Sequence, residues 1–132
     1  RTAAELWGNE ELKQLGGNVH LSTDDGSAGH CGLVTEILEA RLNDRPAASG
    51  HNSQTRVYAC GPMPMLRRVA KICAEAGVLA QVAVETVMGC GFGICMGCPI
   101  EPARGVAQYG RYLLACMDGP VFHAEDICYP KI

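Results

Sequence analysis

Apolar residues recur at helical spacing in three stretches of the chain. Residues 2–15 have helix-forming composition and stop at Gly16-Gly17. Two further stretches place their apolar residues on one helical face: Leu33, Val34, Ile37, Leu38 and Leu42 in the first, and Met65, Leu66, Val69, Ile72 and Cys73 in the second. Pro64 lies near the first turn of that last stretch, and Gly77 follows its end. The pattern predicts three helices, the third over residues 64–76.

Strand patterns lie between these helices. Residues 18–22 alternate in polarity, residues 57–60 are apolar and bounded by Gly61-Pro62, and residues 80–84 form a nearly continuous apolar run. Such a run is typical of a central parallel strand that is buried on both faces. Strands joined by helices predict right-handed crossovers, so we expect a small three-layer α/β domain with a parallel sheet over residues 1–85. Functional residues are expected at the carboxyl ends of its strands.

The chain changes character near residue 86. Glycine, cysteine and proline are prominent from there to residue 132, which predicts a loop-rich second module with at most a short hairpin.

Charge and composition exclude several classes of function. Lys and Arg number 11 against 14 Asp and Glu, giving a net charge of −3 with no basic run, so nucleic acid is not expected as a partner. No window approaches the roughly 20 apolar residues of a membrane span. The N-terminus lacks the pattern of a signal peptide, so we expect a soluble cytoplasmic protein whose eight cysteines serve a metal or redox role rather than disulfides.

Four cysteines have the spacing of a metal site. Cys90, Cys95 and Cys98 form C-x4-C-x2-C, and Cys116 follows after 17 residues. Plant-type 2Fe-2S ferredoxins use this opening with a distant fourth cysteine, because two irons need two thiolates each. A four-cysteine zinc site remains an alternative, as do disulfides or buried thiols, and zinc could also substitute for the cluster. A Rieske centre lacks its two histidines, and a phosphate loop lacks the helix that should follow it.

The residues between these cysteines suit a loop wrapped around a cluster. Glycine permits left-handed or crowded backbone and lets amides approach sulfur, which is the role expected for Gly89, Gly91, Gly93 and Gly97. The apolar side chains in the loop are expected to limit water access: Phe92, Ile94 and Met96.

The remaining candidates have ordinary alternatives. Cys31, Cys73 and Cys128 are expected to be packing residues. Two interpretations stay open for Cys60, packing or contact with a cofactor, because it ends a strand. Asp24 and Asp25 form a solvated turn or bind ribose hydroxyls. The four histidines show no metal-binding pair and are expected in surface loops.

Taken together, these motifs resemble a known family. The stretches of this chain that carry the resemblance are Thr23 to Gly29 with Gly32 to Val34, Tyr58 to Met65, Val84-Glu85, the cysteine loop, and Cys116 to Phe122. In this order they resemble the electron-transfer subunit of class 1B dihydroorotate dehydrogenase, which belongs to the ferredoxin-NADP reductase superfamily. The resemblance extends over nearly the whole chain.

The resemblance implies a division of the chain into parts. Members have an FAD-binding barrel, a nicotinamide-binding α/β domain and a C-terminal 2Fe-2S module. This chain corresponds to the last two, 1–85 and 86–132, and lacks the barrel with its flavin motif, so FAD is expected to be absent from it. Residues matching ligand positions are Cys90, Cys95, Cys98 and Cys116, and residues implied near nucleotide or flavin are Thr23, Asp24, Asp25, Cys60, Gly61, Pro62, Glu85 and Met88.

The resemblance also implies a function. Electrons from dihydroorotate, oxidised at the FMN of a catalytic partner subunit, pass through the cluster and FAD to NAD in a heterotetramer of two subunits of each kind. The chain itself then supplies no catalytic residue and is inactive alone. Two alternatives stay open: a subunit similar to those of sulfide dehydrogenase and NADH-dependent ferredoxin:NADP oxidoreductase, and a zinc-stapled interaction module.

Overall fold

A computed structural model of the chain describes residues 2–44, 55–103 and 112–130. These residues fall into two compact units, Arg1–Pro46 and Ala47–Ile132. The first unit has one short sheet and the second has two, and the units are described separately below.

The first unit contains little regular structure besides one longer helix. A 3₁₀ turn at Ala3–Glu5 and helix α1 at Asn9–Gln14 replace the single helix predicted over residues 2–15. The break falls at Gly8, whose φ of 79° is left-handed and caps α1. Strands β1, Ser22–Thr23, and β2, His30–Cys31, pair in parallel ahead of helix α2, Val34–Asn43.

Two expectations for this unit are only partly met. Of the strand predicted over residues 18–22, only Ser22 lies in β1, because β1 pairs with β2 over two residues, Ser22 and Thr23. Helix α2 forms where the apolar spacing predicts it, but its buried residue is Thr35, while Leu33 and Val34 are exposed. The spacing therefore identified the helix correctly without identifying a buried face.

The second unit is built on a strand–helix–strand unit as predicted. Strand β3 spans Arg56–Cys60, helix α3 spans Met63–Glu75, and strand β4 spans Leu79–Ala83, with β3 and β4 parallel. Buried α3 residues pack on the sheet, whose buried side includes Ala80 and Val82; the α3 residues are Leu66, Val69, Ile72 and Cys73. Burial of Cys73 confirms its prediction as a packing residue.

The C-terminal part of the chain completes this sheet. Strand β7, Val121–His123, pairs antiparallel with β4, so the order is β3–β4–β7 and the sheet is mixed. The strand pairs within residues 1–85 are parallel as expected, although they belong to two separate sheets. Strand β7 was not expected, because a three-residue strand carries too little periodicity to be recognised. Strands β5, Pro99–Ile100, and β6, Leu113–Leu114, form a separate antiparallel pair, in keeping with a short hairpin.

The division at residue 85 stays a prediction, since β7 joins the sheet of β3 and β4 from beyond it. Within the described residues, no helix is long and apolar enough to cross a membrane.

Candidate metal centre

The short β5–β6 pair brings two of the predicted cysteines together. Cys98 directly precedes β5, and Cys116 lies one residue beyond Ala115, whose N–H donates to the Cys98 carbonyl at 3.0 Å. The Sγ atoms of Cys98 and Cys116 are 3.3 Å apart, and neither is in a disulfide. Two thiolates held at about 2.3 Å from one tetrahedral metal lie about 3.8 Å apart, so a small outward shift would place both on one metal.

The other two cysteines are joined by the loop between them. The N–H of Cys95 donates to Cys90 Sγ at 3.4 Å, and the N–H of Gly97 donates to Cys95 Sγ at 3.4 Å. The loop reverses through left-handed residues, namely Gly91 (φ 76°), Gly93 (φ 84°) and Met96 (φ 54°). The backbone thus turns its amides toward sulfur, as the interleaved glycines predicted.

Close contacts with neighbouring side chains explain why glycine occupies positions 89, 93 and 97. A Cβ at Gly89 or at Gly97 would lie 3.3 Å from Cys95 Sγ, and one at Gly93 would lie 3.0 Å from Met117 Cγ. Side chains at these positions would crowd the sulfur and its surroundings.

The hydrogen bonds give the thiols different acidities. The N–H groups of Cys95 and then Phe92 lower the pKa of Cys90 to about 6, because they stabilise its thiolate. Cys116 is affected in the opposite sense, since its hydrogen bond with the Cys98 thiol raises the pKa of Cys116. Cys90 is therefore more ready than Cys116 to bind a metal as thiolate.

The side chains around the cysteines are apolar and exposed. Phe92 is 60% exposed, Ile94 76% and Met96 46%, and their role in limiting water access to a cluster stays a prediction. Val87 and Met88 are exposed apolar residues on the same segment, and the exposed Met117 contacts it at Gly93. The sequence from Thr86 to Ile100 contains no charged residue. The six exposed apolar side chains are called the apolar rim: Val87, Met88, Phe92, Ile94, Met96 and Met117.

The cysteines outside the C-x4-C-x2-C set are all free but differ in burial. Cys31 is exposed, so its prediction as a packing residue is wrong; it lies in the two-residue β2, both of whose residues are exposed. Cys128 is half-buried, with its thiol donating to the Pro102 carbonyl. Cys60 is exposed at the end of β3, which leaves it available for contact.

The predicted nucleotide residues of the first unit lie in one turn. Thr23 is 1% exposed and its hydroxyl donates to the Ala28 carbonyl, so its side chain is already engaged. Asp24 and Asp25 are exposed. Asp25 accepts hydrogen bonds from the hydroxyl and N–H of Ser27, which lower the pKa of Asp25. The turn is solvated, and ribose binding there stays a prediction.

The other predicted cofactor residues lie in the second unit. Cys60, Gly61 and Pro62 connect β3 to α3, and an open pocket of about 190 Å³ lies beside Cys60, lined by Tyr58, Ala59, Cys60, Gln81, Ala83 and Val121. Glu85 and Met88 follow β4 with exposed side chains.

Asp118 is a residue to which the sequence analysis assigned no role. Its Oδ2 accepts a hydrogen bond from the Leu114 N–H at 2.6 Å, across the turn that carries Cys116. The available signal was an aspartate two residues beyond a ligand candidate and ahead of Gly119-Pro120.

Four cysteine sulfurs with amide donors are the donor set that iron–sulfur clusters use. Among the described side chains, no three of His, Cys, Asp or Glu converge as a site for a single metal ion.

Comparison with known proteins shows what the region of this site resembles. Residues 85–128 match the family model for the iron–sulfur cluster binding domain of dihydroorotate dehydrogenase B. The dihydroorotate dehydrogenase B (NAD(+)) electron transfer subunit of Caldanaerobacter subterraneus is 36% identical over 86% of this chain and 41% of its own length. The corresponding Bacillus caldolyticus subunit is 35% identical over 96% of this chain and 44% of its own length. The chain thus spans about two fifths of these relatives.

A solved structure agrees with these matches. A chain of the NADH-dependent reduced ferredoxin-NADP oxidoreductase, determined for insight into flavin-based electron bifurcation, aligns with a TM-score of 0.75 and 27% identity. The alignment covers 98% of this chain and 42% of that one.

Fold and site together make the chain similar to iron–sulfur proteins of the electron-transfer class. More particularly, residues 85–128 match the cluster-binding domain of dihydroorotate dehydrogenase B, and most of the chain is similar to part of the electron transfer subunits of that enzyme.

Proposed function

We propose that the chain carries a 2Fe-2S cluster ligated by Cys90, Cys95, Cys98 and Cys116. The observation that supports this proposal is that the sulfurs of Cys98 and Cys116 are in contact, while the backbone N–H of Cys95 donates to the sulfur of Cys90, so the four cysteines fall into two neighbouring pairs. Two irons bridged by sulfide need two thiolates each, so one pair would hold each iron. Amide donors to Cys90 and Cys95 would stabilise the negative charge on the sulfurs.

The function we propose is electron transfer in dihydroorotate oxidation. When bound, the cluster supplies a one-electron relay between the FMN of a catalytic subunit and the FAD that reduces NAD. The chain's own residues hold and orient this relay and contribute no catalytic group. This role would belong to pyrimidine biosynthesis.

The catalytic FMN subunit is the partner we propose, in a heterotetramer with the complete electron transfer subunit. The apolar rim supports this assignment, because exposed Phe92, Ile94 and Met96 surround the cysteines without a charged neighbour in their loop. Exposed apolar surface of this kind is typical of protein interfaces. Closure by a partner would also exclude water from the cluster.

The nucleotide contacts belong to the same proposal. Asp24 and Asp25 would bind ribose, with Thr23 holding their turn, while the pocket beside Cys60 would accept part of the nicotinamide or flavin. The pocket lies at the end of β3, where Gly61 and Pro62 follow the strand. Two further residues lie between β4 and the cysteine loop, namely Glu85 and Met88.

A second candidate keeps the relay and changes the partner. The structural match favours a subunit similar to that of the NADH-dependent ferredoxin-NADP oxidoreductase. Mixing the protein with the dihydroorotate dehydrogenase catalytic subunit of its own organism distinguishes the two. Dihydroorotate should reduce the cluster only in the pyrimidine enzyme.

Metal analysis tests the cluster first. Protein purified without oxygen, or rebuilt with iron and sulfide, should be brown and hold about two irons and two sulfides per chain. A colourless protein that binds one zinc and cannot be rebuilt would instead support the zinc-stapled module.

Cysteine variants test the ligand set. Cys95→Ser or Cys116→Ser should abolish the stable visible spectrum, whereas Cys73→Ser should keep it, because Cys73 is buried in the helix–sheet core. Loss of the spectrum in Cys73→Ser together with its survival in Cys116→Ser would contradict the assignment.

A further inference from the structure

Leu114 occupies an unusual position in the β5–β6 pair. It stands opposite Pro99, which has no N–H to donate. In an antiparallel pair, opposite residues either exchange both backbone hydrogen bonds or exchange none, so the proline selects the second arrangement here. The N–H and carbonyl of Leu114 therefore need partners other than β5.

Residues just beyond Cys116 provide those partners. The Leu114 carbonyl accepts the N–H groups of Met117 at 3.0 Å and Asp118 at 2.8 Å. The Leu114 N–H donates to the Asp118 carboxylate at 2.6 Å. Leu114 is fully buried, so water has no access to replace a lost partner. One aspartate thus closes the turn from Leu114 to Asp118, with Cys116 at its centre.

We propose that Asp118 is a positioning residue that holds Cys116 beside Cys98 for metal binding. It acts through the backbone and is not itself a ligand. The neighbouring Ala115–Cys98 hydrogen bond fixes one side of this arrangement, and the carboxylate fixes the other. Without the carboxylate, the Leu114 N–H would be buried and unpaired, and the turn would open to pair it. The inference rests on the proposed function, because it assumes that Cys98 and Cys116 bind a cluster.

The test compares Asp118 variants of the full chain after anaerobic rebuilding with iron and sulfide. Asp118→Ala removes the acceptor, and Asp118→Asn keeps an oxygen in place of the carboxylate. Asp126→Ala is the matched control, since the Asp126 side chain has no hydrogen bond among the described residues and lies in the same unit. Two quantities are measured: the lifetime of the visible absorption in the presence of an iron chelator, and the paramagnetic resonance spectrum of the reduced cluster.

We expect the cluster of Asp118→Ala to be lost about tenfold faster than that of the wild type, since supporting partners of metal ligands typically contribute about 10–100-fold to metal affinity. Its resonance spectrum should change, because Cys116 would be reoriented. Asp118→Asn should have an intermediate lifetime and a spectrum like the wild type, because a neutral oxygen accepts a weaker hydrogen bond. Asp126→Ala should match the wild type in both measurements.

Several results would overturn the proposal. One is a wild-type lifetime and spectrum in Asp118→Ala, another is equally fast loss in Asp126→Ala, and a third is loss in Asp118→Asn as fast as in Asp118→Ala. If Asp118→Ala does not fold, an Asn variant with the lifetime of the wild type overturns it. A wild-type chain that takes up no iron and sulfide would instead refute the proposed function.

Discussion

Single backbone amides set the reactivity of Cys90. The N–H groups of Cys95 and Phe92 point at its sulfur because the loop turns through left-handed residues. The sequence of the loop contains no charged side chain that could stabilise the thiolate instead. A cysteine loop without lysine or arginine can therefore still present a thiolate to an incoming metal.

Alkylation of the metal-free protein checks this effect. A pKa of about 6 means that Cys90 is mostly thiolate above pH 6, so its rate of reaction with iodoacetamide should reach half its maximum near that pH. Cys73 should react slowly at neutral pH, because burial raises the pKa of its thiol. Peptide mapping by mass spectrometry gives each rate. A half-maximum for Cys90 above pH 8 would contradict the prediction.

Tyr129 provides a second prediction with a defined pH range. Burial raises the pKa of Tyr129 to about 12, and its hydroxyl donates to the Ala124 carbonyl at 3.0 Å. The folded state favours the neutral phenol, so its contribution to stability is complete below pH 10 and is lost as the pH rises toward 12. Tyr129→Phe should lower the free energy of unfolding by about 1 kcal/mol at pH 8.

The difference in unfolding free energy between wild type and Tyr129→Phe should shrink between pH 10 and pH 12. Denaturant unfolding at each pH measures it. An unchanged difference over this range would show that the phenol ionises equally in the folded and unfolded states.

At the scale of elements, the connection from β6 to β7 depends on Gly119. A Cβ there would lie 2.5 Å from the ring of Phe122, which is buried in β7 opposite Val82. Gly119→Ala should therefore destabilise the protein by about 1–3 kcal/mol. Thermal or denaturant unfolding provides the measurement.

A double variant identifies the cause. Phe122→Leu removes ring atoms that the new methyl would meet, so Gly119→Ala should cost less in that background. If Gly119→Ala lowers the free energy of unfolding equally in both backgrounds, contact with the Phe122 ring is not the cause.

The elements that sequence patterns predicted are those with enough residues to show a period. Helix α3 and strands β3 and β4 lie within one residue of their predicted bounds, since each places apolar side chains against the others. Strand β7 was missed because it has three residues, and its selection depends on hydrogen bonds with β4. The exposure of Cys31 was missed for a related reason, because apolar spacing does not reveal whether a neighbour covers the residue.

The same contrast holds for the candidate site. Spacing alone singled out the four cysteines, because ligand spacing is a local property of the sequence. Their arrangement in pairs depends on the register of β5 with β6, which brings Cys98 to Cys116 across intervening residues. The role of Asp118 depends on that same register, so it emerged only from the structure.

At the scale of the whole molecule, the apolar rim predicts how the protein meets its proposed partner. Phe92→Asp or Ile94→Asp should weaken binding to the catalytic FMN subunit at least tenfold, because each places a charge in a desolvated contact. Both variants should keep their clusters, since neither residue is a ligand. Calorimetric titration measures affinity, and visible absorption confirms the cluster.

Leu15→Asp serves as the control, because Leu15 is equally apolar and exposed but lies outside the cysteine loop. Affinity should also change little with salt, since the loop has no charge to screen. A steep decrease with salt, or an equal effect of Leu15→Asp, would contradict the apolar interface.

The pairing of β4 with β7 has a consequence for protein engineering. Ala83 stands opposite Val121, and the Val84 N–H donates to the Pro120 carbonyl, so the residues between them leave and re-enter the sheet at neighbouring points. The sheet therefore holds the two ends of the cysteine-bearing segment together. Metal binding does not have to supply the conformational entropy of bringing these ends together. The described part of this segment also bonds to residues beyond β7 through Ala103–Asp126 and Glu101–Cys128, so a transplant between two adjacent antiparallel strands of another host protein should carry those residues as well.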